Sequence, residues 1–86
     1  MKADKKKVTR LVKTARGQLD GVLRMIEEDR YCIDISNQLM AAEAELRRAN
    51  REVLAAHMQS CMVEAVREGK EDEKIAELMK IIEKMS

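Results

Sequence analysis

From Ile35 onward the chain steps through Leu39, Ala42, Leu46, Ala49, Val53, Ala56, Ser60 and Val63, alternating intervals of four and three with no helix breaker between them. That interval keeps a single stripe on one helix face, so the pattern predicts an uninterrupted rod with Asp34 as its N-cap and its end near Arg67. Val8, Val12, Ala15, Leu19, Val22 and Ile26 repeat the pattern and predict an earlier helix from about Asp4 to Glu28, with a coiled-coil-like seam. Glu27 to Cys32 forms the break between them, which puts Cys32 in or beside a tight turn. Gly69 is a natural stop for the second rod, and Ile75, Leu78, Met79, Ile82 and Met85 mark a short third helix. Gly17 and Gly21 fall inside the first helix, where each costs about 1 kcal/mol relative to alanine. With strong periodicity on both sides, the expectation is close approach of another backbone at these glycines.

Composition agrees with this all-α reading. Proline is absent, one residue in the chain is aromatic, and 38% are charged, a balance that points to long helices and away from a β-sandwich or barrel. The core must be Leu, Ile, Val, Ala and Met, and Met25, Met40, Met79 and Met85 are read as core filling rather than as thioether ligands. Eighty-six residues make a single domain, residues 1–86, whose two long helices cannot bury every apolar face alone. Two copies would give an antiparallel four-helix bundle. The third helix would then cap an end of that bundle or join dimers.

Charge is segregated along the chain. Lys2, Lys5, Lys6, Lys7, Arg10, Lys13 and Arg16 stand against the single acid Asp4 in the first sixteen residues, so in a chain of net charge +1 the remainder is acidic. A basic arm, about residues 1–7, on an acidic body suggests a polyanionic partner; a solvated helix flank is the alternative. Arg47, Arg48 and Arg51 allow two readings as well, a second phosphate-binding patch or a solvated face paired with Glu43, Glu45 and Glu52. Without aromatic platforms, single-stranded nucleic acid is not the expected target. No nucleophile triad, glycine-rich phosphate loop or paired-carboxylate cleft supports an enzyme. No segment approaches the ~20 apolar residues of a membrane span, and a cytoplasmic protein is expected.

Cys32, His57 and Cys61 are the only cysteines and the only histidine. In a reducing compartment the thiols are ligands or reactive groups rather than a disulfide. His57 and Cys61 are one helical turn apart on the same face, and two thiolates with one imidazole form a soft set suited to Cu(I). Buried structural cysteines beside a packing histidine are the alternative. On a continuous helix Cys32 would stand ~38 Å from His57 at ~1.5 Å per residue, too far for one ion. The chain must fold back sharply, or a second antiparallel copy must supply its Cys32; the second route is expected.

The segments Arg16-Gly17-Gln18-Leu19-Asp20-Gly21, Arg24-Met25, Glu28-Asp29-Arg30-Tyr31-Cys32-Ile33-Asp34, Arg48-Ala49-Asn50-Arg51 and His57-x-x-x-Cys61 occur in the order seen in the copper-sensing CsoR branch of the CsoR/RcnR repressor family, which the chain closely resembles over nearly its whole length. The resemblance implies three helices per chain, an antiparallel four-helix-bundle dimer and a dimer-of-dimers homotetramer. It also implies binding to double-stranded operator DNA, released when metal binds. It assigns Cys32 of one protomer with His57 and Cys61 of the other as Cu(I) ligands, and Tyr31 and Glu77 as groups supporting them. Arg48 resembles a DNA-contacting arginine, joined in the expected footprint by Lys5, Lys6, Lys7, Arg10, Lys13, Arg16, Arg47 and Arg51. Leu11 stands where the family usually has a basic residue.

Within the family that the chain resembles, nickel- and cobalt-sensing members are His-rich and use an N-terminal histidine, absent here, formaldehyde-sensing ones lack the second cysteine, and persulfide-sensing ones keep both cysteines but lose the histidine. Retention of all three groups favours copper here. The expected function is therefore a Cu(I)-responsive transcriptional repressor; a persulfide- or thiol-reactive-species sensor of the same family, or a helical interaction module with no metal role, are the alternatives.

Overall fold

The computed structural model describes residues 1–85, and every regular element among them is a helix: α1 Lys5–Glu27, α2 Cys32–Glu68 and α3 Glu71–Met85. Local chemistry fixes the ends. The Asp4 carboxylate accepts hydrogen bonds from the backbone N–H groups of Lys6 and Lys7, at 3.0 and 3.3 Å, so it caps α1 from just outside it.

Two Schellman-type closures shape the turns. At the end of α2 the Lys70 N–H donates to the Ala65 carbonyl and the Gly69 N–H to that of Val66, with Gly69 left-handed at φ +70°. At the end of α1 the Arg30 N–H donates to Met25 and the Asp29 N–H to Ile26. Here a non-glycine residue, Asp29, takes the left-handed position at φ +50°. Asp34 does not cap α2 as expected. Helix α2 starts at Cys32 with Tyr31 in the cap position and no side-chain cap, and Asp34 lies in the first turn, where its charge complements the helix dipole.

Helices α1 and α2 run antiparallel, in a register that brings Lys7 within 2.9 Å of Glu52. Their apolar seams are divided by heptad position. Ala15 and Val22 of α1 and Ala42 and Ala49 of α2 are buried, whereas Val12, Leu19 and Ile26 and the corresponding Leu39 and Leu46 are exposed. Alanines, not glycines, make the close approach. Within the chain nothing lies within 4 Å of a side chain built at Gly17 or Gly21, so the α1–α2 contact does not supply the close approach expected at them.

This arrangement leaves the chain without a core of large side chains. Among the described residues the buried ones are Ala15, Val22, Ala42, Ala49 and Ala65, and an alanine methyl is worth only about 0.8 kcal/mol. Met40, Met79 and Met85 are exposed and Met25 is half-buried, so methionine fills no core within one chain. The principal extents are 57 × 27 × 12 Å, the last being the diameter of one helix. The chain exposes 6849 Å², whereas size scaling gives about 5,200 Å² for a self-contained monomer of this mass. A one-layer sheet of helices with its larger apolar residues turned outward needs a second layer.

Candidate metal centre and nucleic-acid face

Helix α2 brings His57 and Cys61 to one face, and the left-handed turn at Gly69 folds α3 back against it. Together they line a small cleft with Lys74 and Glu77, floored by Leu78 and Ile81 of α3. Cys61 is half-buried and carries a free thiol. Met58 and Met62 border the same cleft; their positions one step from His57 and Cys61 were the sequence signal for this, masked by the abundance of methionine.

Cys32 is a free, exposed thiol in the first turn of α2. Because α2 is continuous through His57, the two stand ~38 Å apart on one helix at ~1.5 Å per residue, and a fold-back within the chain does not occur. Among the described residues no three ligating side chains of one chain converge on a common point. Tyr31 is exposed and adjoins Cys32, while Glu77 shares the cleft with His57, so the two expected supporting groups lie at opposite ends of α2.

The sequence did not single out Lys74. Its ammonium lies 3.4 Å from Glu77 Oε2, one turn along α3. The hydrogen bond to Glu77, then the charge of that carboxylate, then the nearby Cys61 sulfur raise its pKa above the usual lysine value. The i, i+3 spacing of opposite charges was the available signal.

On the basic side, Lys5, Lys6, Arg10 and Lys13 of α1 border a shallow open groove together with Thr9 and Thr14. Arg16 is exposed further along the same helix. Lys7 is engaged with Glu52, which shows that the basic start of α1 lies level with Arg48 and Arg51 along α2. Arg47 pairs with Glu43 at 2.9 Å and Arg48 with Glu45 at 3.2 Å, so two of the three arginines have the acidic neighbours of the solvated-face reading. Both pairs are exposed on the arginine side, and such contacts are weak enough for phosphates to displace. Leu11 is half-buried, a packing position rather than part of the open groove.

Residues 4–84 match the family model described as a metal-sensitive transcriptional repressor. A copper-sensing transcriptional repressor CsoR of Mycobacterium ulcerans is 47% identical over 68 residues, 79% of this chain and 58% of that protein. The Mycobacterium tuberculosis CsoR is 42% identical over 77 residues, 90% of this chain and 65% of its own length, so the chain spans less than two thirds of these mycobacterial relatives. The Bacillus subtilis CsoR is 31% identical over 83 residues, covering 96% of this chain and 82% of that one. Among solved structures, the Cu(I)-bound copper-sensing repressor CsoR of Geobacillus thermodenitrificans superposes with a TM-score of 0.82 at 36% identity, covering 93% of this chain and 83% of the other.

Proposed function

This chain belongs to the metal-sensitive transcriptional repressor family, and from that premise we propose that it is a Cu(I)-responsive repressor, binding double-stranded operator DNA when metal-free and releasing it on Cu(I) binding. The observation that carries the copper reading is the donor set: two free thiols and one imidazole, with Cys32 held on the same unbroken helix as His57 but far beyond the reach of a shared ion. A second copy running antiparallel would bring its own Cys32 to His57 and Cys61. Those three residues would hold Cu(I) as a soft three-coordinate ion, with Glu77 placed to accept from the free ring N–H of His57 and Tyr31 arriving beside Cys32.

The outward Val12, Leu19, Ile26, Leu39 and Leu46 support a four-helix-bundle dimer, and exposed Ile75, Met79 and Ile82 on α3 support association of dimers into a homotetramer. The operator face combines Lys5, Lys6, Lys7, Arg10, Lys13 and Arg16 with Arg47, Arg48 and Arg51. No helix among the described residues is long and apolar enough to cross a membrane, and the proposed DNA-binding role supports a cytoplasmic location.

The decisive experiment titrates the reduced protein with Cu(I) against a competing chelator and follows binding to a promoter fragment from its own operon. Stoichiometric copper uptake with loss of DNA affinity is expected. Operator release by a persulfide donor but not by copper would shift the reading to thiol chemistry at the same cysteines, and no DNA binding in either state would leave a helical interaction module.

A further inference from the structure

Glu77 shares its cleft with both Lys74 and His57, and in this structure it pairs with Lys74. The ammonium and carboxylate stand 3.4 Å apart on successive turns of α3. Among the described residues Glu77 makes no hydrogen bond to His57, although both line the same cleft. The Lys74 pair runs along the surface of α3, whereas His57 lies across the cleft on α2, so one carboxylate rotamer favours one partner at the expense of the other.

We propose that Lys74 is a positioning residue that holds Glu77 away from His57 in the metal-free protein, stabilising the DNA-binding state and setting how much copper binding must overcome. This rests on the copper-repressor reading above, in which Glu77 turns to His57 in the released state. A ligand moves such an equilibrium only by its differential affinity for the two states, so a contact present in one of them opposes the switch by its own worth. Lys74 and Glu77 are 39% and 56% exposed, and a pair so placed is worth a few-fold in an equilibrium constant rather than orders of magnitude.

The test compares wild type with Lys74→Met, Lys74→Gln and Lys74→Arg as full-length chains, reading operator affinity without copper, Cu(I) affinity by chelator competition, and the salt dependence of DNA binding. Lys74→Met and Lys74→Gln should weaken metal-free operator binding by about two- to fivefold and tighten Cu(I) binding in the same direction, as linkage requires. Lys74→Arg should restore both. The slope of DNA affinity against salt should not change, because Lys74 neutralises no phosphate. In a Glu77→Ala background the Lys74 substitutions should have no effect on either curve.

Wild-type values for Lys74→Met in both assays would overturn the proposal while leaving the copper-repressor reading intact. So would a loss of Cu(I) affinity with unaltered operator binding, which would mean that the ammonium acts on the Cys61 thiolate instead. A wild-type protein whose DNA binding ignores copper would remove the reading itself, and the proposal with it.

Discussion

Cys32 and His57 occupy the same uninterrupted helix α2 yet stand ~38 Å apart along it, at ~1.5 Å per residue. A metal bound by both must therefore be bound by two chains. Mixing a Cys32→Ala chain with a His57→Ala/Cys61→Ala chain should restore one intact site in each mixed dimer, detected as Cu(I) binding that neither parent shows. Mixed dimers without copper binding would refute the shared site.

Arg48 pairs with the largely buried Glu45 but keeps its own side chain 60% exposed, so it can exchange that carboxylate for a phosphate. Arg48→Ala should weaken metal-free operator binding, lower the salt slope by about 1 and leave Cu(I) affinity nearly unchanged. An unaltered salt slope would remove Arg48 from the footprint.

Glu77 separates binding copper from reporting it. Because the thiols and imidazole are all retained, Glu77→Ala should still take up Cu(I), yet copper should shift its operator affinity less than the roughly 1–3 kcal/mol typical of allosteric coupling. The measurement is a pair of operator-binding curves, with and without one Cu(I) per protomer. Full release by the variant would route the signal through α2 or the turn at Cys32 instead.

Asp29 holds a left-handed conformation that glycine adopts without penalty. Asp29→Gly should stabilise the turn by about 0.5 kcal/mol, raising the thermal midpoint by roughly 2–4 °C for a chain of this size. Asp29→Val should lower it. A lower midpoint for the glycine variant would show that the aspartate side chain contributes more than its backbone strain costs.

Three helices were legible because the four-and-three spacing of Ile35 through Val63 admits no other regular structure, and Gly69 ended α2 as its residue type suggests. Asp34 misled because aspartate suits both the cap and the first turn, and only the backbone distinguishes them. The role of Asp29 was hidden for the reverse reason: the left-handed position usually signals itself by glycine. Gly17 and Gly21 drew attention from Ala15, Ala42 and Ala49, which are small enough for close packing without marking it. At the cleft, His57 and Cys61 were evident from their spacing. Lys74 was not, since its nearness to Cys61 exists only after Gly69 turns α3 back onto α2.

A layer 12 Å thick has two wet faces and no interior to shelter. Its persistence is then a matter of population as much as of sequence: dilution favours the solitary, fraying chain, and crowding with its own kind favours the folded one. A thermal midpoint that climbs with protein concentration would be the sign of this, and a midpoint indifferent to dilution would contradict it. Inside a cell, a newly made copy would be open to proteolysis until it met another, so the number of copies present would help decide how long each one lasts.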